Sequence, residues 1–170
     1  MTKMPLQASG NLIATAGGMT VSRAFQAQVS IRGTQPALIS GDTVRSYAEL
    51  NDRVNRLAHI LTALGVRRGD RVAVISENRP EYVELDLAAA KTGCIVACLN
   101  WRQADAELQH CIELVEPRVI FASQRHCHML DRMDWAGCLL AFGPEYEREL
   151  QRADSSEPAE VAEPEDGFII

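Results

Sequence analysis

Between residues 47 and 64 the apolar side chains Leu50, Val54, Leu57, Leu61 and Leu64 recur at three- and four-residue intervals, which places them along one face of an amphipathic helix. Ser46 and Glu49 precede that run three apart, the arrangement of a capping box, and Gly65 follows where a left-handed residue closes a helix. From Arg71 the rhythm changes. Short uninterrupted apolar runs at Arg71–Ile75, Ile95–Leu99, Arg118–Ala122 and Cys138–Phe142 alternate with helical patterns at about Pro80–Thr92 and Ala104–Val115. The first of these helices has Asn78 as its expected cap and Pro80 in its first turn, where the missing N–H costs nothing, and it stops at Gly93. The second turns Leu108, Cys111, Ile112 and Val115 inward and is stopped by Pro117.

Strands that are apolar throughout, separated by helices, predict an α/β fold: a mostly parallel sheet with helices on both faces, Rossmann-like βαβ layers and right-handed crossovers. Upstream, Ala37–Ser40 and Thr43–Ser46 flank Gly41-Asp42 and predict a short hairpin. Thr20–Ser30 reads as a short helix with Val21, Ala24, Phe25 and Val29 inward. Downstream, Gly143-Pro144 breaks the pattern and Glu145–Arg152 reads as a short helix. Asp154–Asp166, acidic and containing Pro158 and Pro164, has the composition of a solvated linker. Phe168-Ile169-Ile170 then begins another strand. The expected organisation is a weakly ordered leader at 1–19, an α/β unit at 20–143, an acidic linker at 144–167 and the start of a truncated strand at 168–170. The whole reads as a partial domain with an exposed apolar edge near its last residues.

Composition narrows the function classes. The 170 residues carry 46% hydrophobic and 24% charged side chains and a formal charge of -6, enough for a core and the wrong sign for a nucleic-acid surface. No apolar run reaches the roughly 18 residues that span a bilayer, and Asn11–Met19 is too short and glycine-rich for a signal peptide, so a cytoplasmic location is expected. Five cysteines, Cys94, Cys98, Cys111, Cys127 and Cys138, contain no CxxC pair and are expected as reduced thiols.

Candidate chemistry gathers near Ala89–Arg102, where a helix stops, a buried strand runs and a polar turn opens at the strand's carboxyl end. That is the edge where ligands bind in open α/β sheets. Arg102 is the best functional candidate there, against a surface or helix-capping role. Lys91 lies one turn before the Gly93 stop, where a cation suits the helix dipole, and reads as structural; Trp101 reads as packing. His126-Cys127-His128 offers ligand-type side chains on adjacent, diverging positions, and no metal site is expected. Glu81, Glu84 and Asp86 read as a solvated helix face, and Arg67, Arg68 and Arg71 as surface chemistry around a turn. There is no GxGxxG and no GxxxxGK[ST].

Ser46-Tyr47-Ala48-Glu49-Leu50, the following helix to Leu64, the run Leu64 to Val74 with its Arg67-Arg68-Gly69-Asp70, Asn78, and Lys91-Thr92-Gly93 through Leu99-Asn100-Trp101-Arg102 together resemble the amino-terminal part of the AMP-forming adenylating enzymes. This family includes acyl- and aryl-CoA ligases, firefly luciferase and the adenylation domains of peptide synthetases. The resemblance runs from about Thr20 to Ile170, and Leu99-Asn100-Trp101-Arg102 is closer to the Leu-Asn-x-Arg of CoA ligases than to the Leu-Asp-Pro of peptide-synthetase domains. It implies a parent enzyme that uses ATP, Mg2+ and CoA to convert a carboxylic acid to an acyl-adenylate and then a thioester, with Arg102 near a phosphate of CoA. The family's Ser/Thr/Gly-rich phosphate loop, adenine and acyl pockets, metal-binding acid, ribose-binding aspartate and mobile carboxyl-terminal domain with its lysine have no counterpart among these residues. The expectation is therefore no catalytic residue here, no tightly bound cofactor and no activity from this portion alone. Two other readings are a stand-alone α/β module binding a small molecule or partner, and a structural remnant that self-associates through its truncated face.

Overall fold

The computed structural model describes residues 17–159 and 161–170; the greater part of the expected leader, residues 1–16, lies outside them. Helix α1 (Val21–Arg32) starts at Thr20, whose hydroxyl accepts the Arg23 N–H at 3.0 Å. Its inner face is carried by Ser22, Phe25 and Val29, spaced at three and four residues, so Val21 and Ala24, expected inward, are turned to solvent. Strands β1 (Pro36–Ser40) and β2 (Thr43–Ser46) pair antiparallel about Gly41, which takes φ 56°. Helix α2 (Tyr47–Ala63) begins with the expected box: Ser46 Oγ accepts the Glu49 N–H at 3.2 Å, and the Glu49 carboxylate accepts the Ser46 N–H at 2.8 Å.

The main sheet contains β3 (Arg71–Ile75), β4 (Ile95–Cys98), β5 (Val119–Ser123) and β6 (Cys138–Phe142), in the order β4-β3-β5-β6 and parallel throughout. Because side chains alternate across a strand, Val72, Val74, Val96, Val119, Phe121, Leu140 and Phe142 form one core with α2, α3 (Pro80–Thr92) and α6 (Pro144–Arg152). Ala73, Ile75, Ala97, Ile120 and Ala122 form the other with α4 (Asp105–Val115) and the short α5 (Cys127–Leu130). Helices on both faces of a parallel sheet are thus present. Helix α3 starts at Arg79, with no side-chain cap, rather than at Asn78; Pro80 alone marks its first turn. It ends at Gly93, φ 70°, whose N–H donates to Ala89 O at 2.8 Å.

Two readings of charge are corrected by burial. Glu84 does not lie on a solvated face: its carboxylate is wholly buried and accepts from Arg53 Nε at 2.6 Å and from the Tyr146 hydroxyl at 2.7 Å, while Arg53 also bonds Glu147. Glu81 bonds Arg79, and Asp86 is partly buried with Oδ1 unpartnered among the described residues. Lys91 is structural, but through burial and not through the helix dipole; its ammonium donates to Asn51 Oδ1 at 2.8 Å, Asn55 Oδ1 at 2.7 Å and the Glu157 carboxylate.

Glu157 belongs to the segment expected as a solvated linker. Residues 144–152 are α6, and the following chain is strapped across α2 and α3: Asn55 Nδ2 donates to Ser155 O at 2.9 Å, Arg56 Nη1 to Ala153 O at 2.7 Å, and Arg68 Nε to Asp166 Oδ2 at 2.8 Å. Its extended carbonyls need donors, and the polar face of α2 supplies them. Beyond it, Phe168–Ile170 lies parallel to β4, with Val96 N donating to Phe168 O and Ile170 N to Val96 O, both at 2.9 Å. Ile169 and Ile170 are 48% and 64% exposed, so the outer side of that edge is open and apolar.

Candidate functional site

Neighbouring strands β3 and β5 send their chains to opposite faces of the sheet, β3 into α3 and β5 into α5. The crevice at their carboxyl ends is therefore a topological switch point. Three turns meet there: 76–79 after β3, 99–103 after β4 and 124–126 after β5.

The turn after β4 is fixed by Asn100, whose side-chain Oδ1 accepts the Arg102 N–H at 3.0 Å while its carbonyl accepts the Gln103 N–H at 3.1 Å. Such an Asx turn holds the chain without a helix or ladder. Trp101, half-buried against the second core, projects from it, and the exposed Arg102 stacks back with Cζ 3.8 Å from the indole centroid. The His126 ring stacks on the same indole at 4.8 Å and 18°, and Arg125 brings its Cζ to 5.9 Å. Neither Arg102 nor Arg125 has an ion-pair partner among the described residues.

Beneath this platform lies Glu77. Its Oε2 accepts from Ser123 Oγ at 2.8 Å and sits 3.3 Å from His126 Nε2, out of line for a hydrogen bond. Burial works against its charge, but its own N–H, the Ser123 hydroxyl, His126 and Arg79 outweigh that and hold the carboxyl below the usual range. Glu, Ser and His do not form a nucleophilic triad here. Ser123 is wholly buried and its hydroxyl donates to Glu77, not to the imidazole. What the cluster offers is two guanidinium groups beside the Trp101 indole with no ion-pair partner among the described residues, a combination suited to an anionic group.

The structure brings Arg102 and Trp101 together with residues that sequence reasoning passed over: Glu77, Ser123, Arg125 and, read only as an incidental metal ligand, His126. All four stand just at or after a strand's carboxyl end, the one signal that could have found them. Cys127 and His128 diverge from His126, the thiol donating to Ser123 O and the second imidazole facing solvent. Lys91 and Arg68 are engaged elsewhere, and Arg71 donates to Val115 O at 2.7 Å at the opposite end of the strand. Among the described residues no three His, Cys, Asp or Glu side chains converge as a metal site would need, and no helix is long and apolar enough to cross a membrane. All five cysteines are unpaired.

The profile of a family described as "AMP-binding enzyme" matches residues 25–168. A feruloyl-CoA synthase from Amycolatopsis is 37% identical over 122 residues, covering 72% of this chain and 24% of that protein. The medium/long-chain-fatty-acid–CoA ligase FadD6 of Mycobacterium tuberculosis is 30% identical over 132 residues, 71% of this chain and 22% of its own. Among solved structures, the Mycobacterium tuberculosis fatty acyl CoA synthetase superposes with TM-score 0.81 at 25% identity, covering 89% of this chain and 32% of that one. The chain thus spans about a quarter of the length of these curated relatives.

Proposed function

The chain belongs to the AMP-binding enzyme family, and from that membership we propose that it forms the amino-terminal wall of an ATP-dependent, AMP-forming acyl- or aryl-CoA ligase. The whole enzyme would join a carboxylic acid to AMP with release of pyrophosphate and pass the acyl group to CoA, with Mg2+ accompanying the ATP. The relatives' names, one an aryl-type and one a fatty-acid ligase, support the class of acid and leave its chain length open. The observation that carries the reading to particular residues is the pair of uncommitted guanidinium groups of Arg102 and Arg125 on Trp101, at the sheet edge where ligands approach. They are the groups suited to hold a phosphate of CoA. No residue of this chain is assigned a bond-making role, so these residues alone should neither adenylate nor thioesterify. The unpaired cysteines favour a reducing, cytoplasmic setting.

The test is a CoA titration of the isotopically labelled chain, followed at the Trp101 indole resonance. CoA should shift that resonance in wild type, dephospho-CoA should shift it less, and Arg102→Ala should weaken the response about tenfold. A Trp101 signal indifferent to CoA would remove Arg102 from the site. The exposed Ile169 and Ile170 also favour self-association through the open edge, which sedimentation over a concentration series reads directly; a monomer at every concentration would exclude it.

A further inference from the structure

Arg102 sits on the surface, and a long exposed side chain has no reason to hold one conformation unless something beneath it is rigid. Four contacts lead inward from it. The guanidinium lies on Trp101, Trp101 lies on His126, the His126 ring nitrogen approaches Glu77, and Glu77 is tied to Ser123 in the centre of the sheet. The imidazole is anchored at its backbone as well, His126 N donating to Ser123 O at 2.8 Å and Met129 N to His126 O at 3.0 Å. Residues from β3, β4 and β5 thus meet in one stack.

We propose that Glu77 and His126 are positioning residues for Arg102: Ser123 fixes the carboxylate, the carboxylate fixes the imidazole, and the imidazole holds the indole flat under the guanidinium. This rests on the reading of Arg102 as a phosphate contact and extends it to groups that never touch the ligand. His126 is buried and its Nε2 stands 3.3 Å from the Glu77 carboxylate oxygen, so the carboxylate limits where the ring can sit. Packed so, the stack orders Arg102 before any ligand arrives and lowers the entropy lost on binding.

The experiment uses tryptophan fluorescence of the whole chain in a Trp135→Phe background, where Trp101 is the sole emitter. His126→Phe, which keeps a ring to stack on the indole, should keep the high anisotropy of Trp101. His126→Ala and Glu77→Gln should lower the anisotropy and weaken the CoA-induced change about tenfold, with far-UV circular dichroism showing that each variant is folded. Arg102→Ala should weaken CoA binding while leaving the anisotropy as in wild type. Unchanged Trp101 anisotropy in both His126→Ala and Glu77→Gln overturns the positioning role. If Trp101 responds to His126 and Glu77 as described but Arg102→Ala leaves CoA binding intact, the stack stands and the phosphate reading of Arg102 falls.

Discussion

The Tyr146 hydroxyl donates to Glu84 Oε2 at 2.7 Å with both residues wholly buried, so α6 is pinned to α3 by a polar contact inside the first core. Arg53 of α2 completes it, bonding Glu84 on one side and Glu147 on the other. Burial first, and then the Glu84 charge, push the Tyr146 hydroxyl well above its ordinary pKa. Removing one member leaves the others desolvated and unpaired. Glu84→Ala is expected to destabilise by about 3–5 kcal/mol and Tyr146→Phe by about 1–3 kcal/mol. Urea denaturation of the singles and the double checks this: a double variant equal to the sum of the singles would mean the contact carries no coupling.

Lys91 and Glu157 fasten the strap to the core. Burial raises the Glu157 carboxyl, but the Lys91 ammonium and nearby amides outweigh it and leave it below the usual value. Lys91 is itself lowered, burial outweighing the carboxylate. For Glu157 the folded pKa lies under the unfolded one, so its contribution is present above the unfolded value and is lost as pH falls through the folded one. The stability gap between wild type and Glu157→Gln should therefore close as pH falls below the unfolded carboxyl value and through the lower folded one. At neutral pH the variant's segment 153–166 should be cut faster by a protease; equal cutting would show the strap to be held by its backbone bonds alone.

Asp86 behaves in the opposite sense. Burial pushes its carboxyl up to about 6, and no donor meets Oδ1 among the described residues. With a folded pKa above the unfolded one, the native state is favoured at low pH and loses stability as pH rises through about 6. Asp86→Asn should stabilise by roughly 1 kcal/mol near neutrality, a figure discounted for the solvent that still reaches the group. Thermal melts at acid and neutral pH test the sign, since the gain should vanish where the carboxyl is protonated in both states.

Local signals are legible in this sequence and long-range ones are not. The capping box of Ser46 and Glu49, the stop at Gly93 and the apolar runs of β3 to β6 depend on neighbours a few residues away, and the sheet follows from them. Glu84 reads as solvated in the sequence because Arg53 and Tyr146 lie 31 and 62 residues from it. Helical spacing nonetheless held a warning, for Glu84 shares its face with Leu85, Ala88 and Lys91, all buried, and not with Asp86. The place of Arg102 after a strand is legible in the sequence, whereas the stack beneath it joins three strand ends that only the sheet order β4-β3-β5 makes neighbours. The acidic strap shows the same limit: composition describes how a segment could be solvated, not which carbonyls a neighbouring helix can bond.

The pairing of Phe168–Ile170 with β4 makes a prediction for single amides. In a parallel ladder alternate N–H groups face the partner strand, and here Ile170 N bonds Val96 O while Val96 N and Cys98 N bond Phe168 O and Ile170 O. Ile169 N therefore points to the open side. Its amide should exchange with solvent fastest, Ile170 more slowly, Val96 and Cys98 more slowly still, and the central strand β3 slowest of all. Phe168 packs on the first core, so Phe168→Ala should loosen the edge and raise the exchange of Val96 and Cys98 while leaving Val72 and Val74 unchanged. Protection of Ile169 equal to that of β3 in a monomeric sample would contradict the open edge; protection that appears only as concentration rises would show a second chain adding its strand there.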